Sequence, residues 1–189
     1  MENKNELFPK LKESFDKMIE NNQSGDYWKN IPIARDALHL MKENGTDYER
    51  KIYMDFCKAM IDNDILQESE TPRLLLEYIN YHNSLTTTKQ LWKRQAARLI
   101  KMTDPNTSEQ EIKKLIKAKR FLLFDPVQLS EKYEEVIYDV EKECDEILKD
   151  EPRCMGFCYM YWSTKHSVLQ KHGIEWRSPS RMNPRVMFD

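Results

Sequence analysis

Glycine is scarce, at 4 residues in 189. That argues against a glycine-rich loop cradling a phosphate and against a turn-dense β-sandwich. A surplus of one charge is also missing. Lys and Arg total 30 and Asp and Glu 32, a formal net charge of -2, so no global charge steers the chain to nucleic acid or a membrane. Long apolar runs are lacking too. The longest, Cys154 to Trp162, falls far short of the ~20 residues a membrane-spanning helix needs. The opening Met-Glu-Asn-Lys-Asn-Glu has no basic stretch leading into an apolar one, so no signal peptide is visible.

Cysteine is limited to Cys57, Cys144, Cys154 and Cys158. The first two fall on apolar stripes of expected helices, where free thiols behave as small hydrophobes. The last two lie four residues apart on one expected helix, a poor geometry for a disulfide. Reduced thiols in a cytoplasmic protein, away from any membrane, are the expectation.

What the chain does have is helical periodicity. Leu11, Phe15, Met18 and Ile19 repeat after Pro9. Ile33, Ala34, Ala37, Leu38 and Met41 follow, ending at Gly45, a natural residue just past a helix end. Thr46 and Glu49 read as a capping box before Tyr48, Ile52, Tyr53, Phe56 and Met60. Thr71-Pro72 opens a helix with Leu74, Leu75, Tyr78 and Ile79. Thr86 to Thr88 caps another with Leu91, Trp92, Ala96, Leu99 and Ile100 inward. Ser108 and Glu111 box a shorter one.

Arg120 to Leu129 breaks the pattern. Contiguous Phe121, Leu122, Leu123 and Phe124 before Asp125-Pro126 read as a buried connector, with a short strand as the alternative. Ser130 then starts a long acidic helix that ends at Pro152. A final helix is expected from about Arg153 to His172, stopped by Gly173. Its first half, Cys154 to Trp162, is apolar all round and is expected to be buried on every side, with Gly156 allowing a close helix crossing.

The tail from Ile174 holds Trp176, Met182, Val186, Met187 and Phe188, with Ser178-Pro179 placed to cap a single helical turn. It is expected to fold back over the preceding helix. The fold class is therefore all-α: an irregular array of about eight helices in a single domain, 1–189, divisible into lobes 1–120 and 121–189. An α-solenoid of helical hairpins is the alternative for the first 120 residues.

Chemistry is harder to find. Cys154, Cys158, His166 and His172 supply metal-binding atom types. Two turns of helix separate Cys158 from His166, about 12 Å along the axis, so one straight helix cannot bring both to one ion. No metal and no cofactor are expected. Asp36 and His39 supply only one half of a carboxylate-histidine pair and read as a surface pair. No Gly-x-Ser-x-Gly, His-Glu-x-x-His or Walker sequence is present.

Charge segregation is the most informative pattern. Residues 86–120 carry ten Lys and Arg against three acids, and residues 121–152 eleven acids against three Lys. Read functionally, Lys89, Lys93, Arg94, Arg98, Lys113 and Lys117 form a nucleic-acid interface, with Trp92 available for stacking. Read structurally, the two segments neutralise each other, with Lys93, Arg94, Lys113 and Lys117 near the acidic helix. The structural reading is favoured, because adjacent helices usually touch. Glu131, Glu135 and Asp139 form an i, i+4 acidic ridge, with Glu134, Glu141 and Asp145 beside it, which reads as a solvated face or, as the alternative, as a surface for a basic partner. Arg177, Arg181 and Arg185 offer a cationic rim for an anionic ligand. The expected function is protein–protein interaction without catalysis. Nucleic-acid binding through 86–120 is the second reading, and an enzyme with its site near Cys154 and His166 the third.

Overall fold

The computed structural model describes residues 7–44, 49–86 and 92–188. It is all-α, with no strand among the described residues. The helices are α1 (Leu7–Ser24), α2 (Asn30–Glu43), α3 (Arg50–Asp62), α4 (Pro72–Leu85), α5 (Lys93–Thr103), α6 (Glu109–Lys117), α7 (Glu131–Leu148), α8 (Phe157–Lys171) and the single turn α9 (Pro179–Met182). No helix among the described residues is long and apolar enough to cross a membrane.

The chain divides into two compact units, Met1–Leu99 and Ile100–Asp189. The division falls within α5, earlier than residue 120, where the sequence pattern breaks. The first unit buries most of the expected stripes, but Ile100, expected inward on α5 beside Leu99, is 55% exposed just past the unit's last residue. Met18, Ala34, Met41, Tyr53, Met60, Tyr78 and Leu99 belong to one continuous core. Asn30 lies fully buried in it, and its amide donates to Asn22 Oδ1 at 2.7 Å and to the Ile65 carbonyl at 3.2 Å, which ties the start of α2 to the end of α1 and to the segment after α3. A buried amide is tolerated only with such partners. Arg98 pairs with the buried carboxylate of Glu68. The capping positions Gly45, Thr46, Thr87 and Thr88, together with Tyr48 and Leu91, lie outside the described residues.

In the second unit, local side-chain caps start three helices. Ser108 Oγ accepts from the Glu111 N–H, Ser130 Oγ from the Tyr133 N–H, and Ser178 Oγ from the Arg181 N–H. Each satisfies a donor that the first helical turn leaves without an intrahelical partner. The connector forms no strand. Asp125 and Gln128 make a reciprocal capping box around a short 3-10 turn, Pro126–Leu129. Of its four contiguous apolar residues only Phe124 is buried, and Phe121 is 91% exposed. The expectation of a buried connector is thus corrected: the capping box turns the chain and directs one ring inward.

The largest correction concerns α8. It starts at Phe157, after Gly156, whose φ of +87° is left-handed. Nothing lies within 4 Å of a Cβ built there, so Gly156 serves chain direction and not a close helix crossing. Cys154 therefore precedes the helix and is exposed. The apolar half is not buried: Met155 is 88% exposed and Tyr159 48%. The buried positions are Lys165, Val168 and Leu169, in the polar half.

The tail does fold back, but over that second half. Gly173, at φ +67°, reverses the chain just past the helix end, and the Ile174 N–H returns to the Leu169 carbonyl at 3.0 Å. Ile174, Trp176 and Met182 are buried.

Candidate functional site

The tail is fastened to the 3-10 turn by groups far apart in sequence. Trp176 Nε1 donates to Gln128 Oε1 at 3.1 Å. Asp125 accepts from the Arg177 backbone N–H at 2.6 Å and from its guanidinium at 3.0 and 2.8 Å. Planar two-point pairing of this kind is among the stronger hydrogen-bonded arrangements. The Asp125 carboxylate raises the Arg177 pKa above its already high ordinary value. Lower in the tail, the Asn183 amide brackets Leu123: its Oδ1 accepts from the Leu123 N–H at 2.9 Å and its Nδ2 donates to the carbonyl at 2.8 Å.

Beneath Trp176 is a buried ion pair. Lys165 Nζ reaches Glu141 Oε1 at 2.5 Å, and Tyr161 Oη donates to Glu141 Oε2 at 2.5 Å. Three rings surround the ammonium, with centroids 5.9 Å away for Tyr133, 5.8 Å for Tyr161 and 5.5 Å for Trp176. The negative ring faces and the carboxylate together make burial of a lysine tolerable.

Fastening the tail this way leaves two adjoining hollows along α8. The larger, about 430 Å³, is open and bordered by Glu109, Asp125, Glu175, Arg177 and Arg181. The smaller, about 180 Å³, is walled by Tyr159 and Trp162 and lined by Ser163, Ser178, Ser180 and Arg181. His166 and Trp176 border both. His166 Nδ1 lies 2.9 Å from the Trp176 carbonyl oxygen. A carbonyl only accepts, so Nδ1 is assigned the hydrogen and Nε2 is the nitrogen left for a ligand. Tyr159, Trp162 and Phe188 form an edge-to-face row beside the smaller hollow, with centroids 5.3 and 5.1 Å apart.

The expected arginine rim separates. Arg177 is engaged by Asp125 and Glu109 and acts as a fastening group. Arg181 borders both hollows, and Arg185 is exposed and borders neither. Glu109 also meets Lys113 one turn along α6 at 2.7 Å. Lys113, then Arg177, hold its carboxyl below the usual range.

Among the described residues, the basic side chains expected to touch nucleic acid are spread over α5 and α6. Lys89 lies outside the described residues, Lys93 and Arg94 are exposed on α5, and Arg98 is engaged by Glu68. Lys117 is exposed on α6. Trp92 packs at the edge of the first unit's core, 5.0 Å from the His82 ring. Nor does Lys113 pair with the acidic helix, as the sequence suggested, because Glu109 is nearer. The α7 carboxylates take cations from elsewhere: Glu141 from Lys165 and Glu143 from Lys171, both on α8, and Asp145 from Arg153. Glu131, Glu135 and Asp139 are exposed one turn apart. Glu134 and Glu141, expected beside this ridge, are buried.

Other candidates resolve simply. Burial pushes the Cys57 and Cys144 thiols up to about 12, which leaves little thiolate for nucleophilic work. His39 pairs with Glu43 on the surface at 3.2 Å. Among the described residues, no group of three or more His, Cys, Asp or Glu is placed to hold a metal.

No family model, no curated protein and no solved structure matches this chain. The geometry of the second unit is therefore the basis for a functional reading.

Proposed function

We propose that this chain is a cytoplasmic protein that works by binding another protein, through the aromatic face of α8 beside the tail. The observation that carries the reading is the exposure of the most apolar stretch of the sequence, Met155 through Met160, where Met155 is 88% exposed. Clustered exposed apolar side chains with polar neighbours mark interaction surfaces in soluble proteins. The occupant is a partner segment with an apolar side chain next to an acidic one. The apolar group suits the Tyr159, Trp162 and Phe188 row. The acidic group suits Arg181 in the adjoining hollow, which no carboxylate lines. Buried thiols at Cys57 and Cys144 are consistent with a reducing compartment.

The test is site-specific photo-crosslinking in cells, with benzoylphenylalanine at Tyr159 and, as a control, at the exposed Glu13 of α1. A discrete adduct is expected from position 159 alone. It should disappear on Arg181→Glu, and its crosslinked peptide should carry Asp or Glu beside an apolar residue. Identical adducts from both positions, a basic crosslinked peptide, or a second copy of this chain in the adduct would overturn the reading.

A further inference from the structure

The smaller hollow has a chemistry narrower than its aromatic rim. We infer that it is a carboxylate pocket, in which Arg181 forms the ion pair and His166 and the serines fix the orientation. The inference rests on the docking reading above and names the group that the partner segment inserts.

The hollow, of about 180 Å³, has room for an acidic side chain together with part of a neighbouring apolar group. Its charged lining is Arg181 and His166, with no carboxylate. The two tail arginines differ in availability. Arg177 already has Asp125 and Glu109, whereas Arg181 forms no ion pair among the described residues. A guanidinium matches a carboxylate at two points. One permanent cation, hydroxyls at Ser163, Ser178 and Ser180, and one imidazole suit a monoanion better than a phosphate dianion, which is usually met by a cluster of arginines.

His166 forms one wall of the pocket. Its Nδ1 hydrogen is committed to the Trp176 carbonyl, which fixes the orientation of the ring. The charged groups that border the same two hollows are Arg181, Arg177, Glu175, Asp125 and Glu109. Asp125 is matched by Arg177, and Glu109 by Lys113 and Arg177. Along α8 the adjacent Lys165 is matched by Glu141.

The experiment titrates the full chain with 3-phenylpropionate, which joins a ring to a carboxylate. Its amide and inorganic phosphate are titrated in parallel. The readout is the Trp162 indole resonance, and an unchanged helical far-UV spectrum and melting temperature certify that each variant is folded. The acid should bind saturably, at least about tenfold tighter than the amide, and Arg181→Gln should abolish that difference. Equal binding of acid and amide, tighter binding of phosphate, or a preference for the acid that survives Arg181→Gln overturns the proposal. If the Tyr159 adduct persists alongside any of these results, the docking surface stands and the carboxylate pocket alone falls.

Discussion

The two halves of α8 invert the ordinary relation between polarity and burial. Phe157 to Trp162 is apolar apart from the Tyr159 and Tyr161 hydroxyls and the Trp162 indole N–H, yet Tyr159 and Met160 stand exposed. Three residues past Trp162 a lysine is buried at 3% exposure. What lies opposite explains the inversion. The second half faces α7, which offers Glu141, and the returning tail, which offers Trp176. The first half meets α7 through Tyr161 against Glu141 and the end of the tail through Phe188 against Trp162, and Tyr159 and Met160 are left exposed. A helix apolar all round has no stripe to state which side is inward, so its neighbours decide.

That contrast breaks most severely if the tail is removed. Trp176 is 3% exposed, and Trp176→Ala should cost about 3–5 kcal/mol in urea unfolding. Truncation after Gly173 also removes Met182 and the Arg177 link to Asp125, so it should cost more and yield aggregating protein. An unchanged melting temperature for the truncated chain would show that the tail covers nothing of consequence.

The next test separates charge from packing under the tail. Lys165→Ala leaves the buried Glu141 carboxylate without its ammonium, and about 3 kcal/mol or more should be lost. Lys165→Met combined with Glu141→Leu should recover most of that, since an apolar pair of similar volume replaces a desolvated ion pair. If the double variant is as unstable as the single one, the aromatic surround requires a cation.

Local signals carried the legible part of the fold. Ala34, Ala37, Leu38 and Met41 announced α2 because helical period alone places them on one face. Ser108, Ser130 and Ser178 announced helix starts because a cap reaches only two or three residues ahead. The candidate site was mostly illegible because its bonds span long separations. Arg177 and Asp125 are 52 residues apart, and Lys165 and Glu141 are 24. From sequence, Glu141 reads as one more acid beside a solvated ridge. Its partner lies on the next helix, and nothing in either segment names the other. Arg181 was legible as a cation, but its separation from Arg177 depends on where Asp125 lies.

On the exposed half the expected effect is small. Tyr159→Ser with Met160→Ser removes apolar groups that the folded chain leaves largely in water. Stability should change by less than about 0.5 kcal/mol, while the partner identified by crosslinking from position 159 no longer co-purifies with the chain. A loss comparable to Trp176→Ala would mean that these side chains are part of the core, and the contrast between the halves would disappear.

The smallest expected effect tests whether the tail is seated as described at the edge of the larger hollow. Glu109 lies there half exposed, 2.7 Å from Lys113 and 2.9 Å from Arg177. Both cations hold its carboxyl below the ordinary value, Lys113 first. A lowered value in the folded state contributes stability above the unfolded carboxyl's pKa, and that contribution is lost as pH falls through the folded value. Pairs this exposed contribute only about 0–1 kcal/mol, so a melt will not resolve them and a carboxyl-carbon NMR titration will. Lys113→Gln should move the Glu109 midpoint up toward the ordinary range without disturbing the tail. Arg177→Gln should also raise it, because the second cation on Glu109 is removed while the rest of the tail is kept. Lys113 shares α6 with Glu109, whereas Arg177 reaches it only if Asp125 seats the tail. A midpoint that responds to Lys113→Gln but not to removal of Arg177 would mean that the tail is not held against Glu109 in solution. The hollows beside α8 would then lose the wall that Arg177 and Arg181 provide.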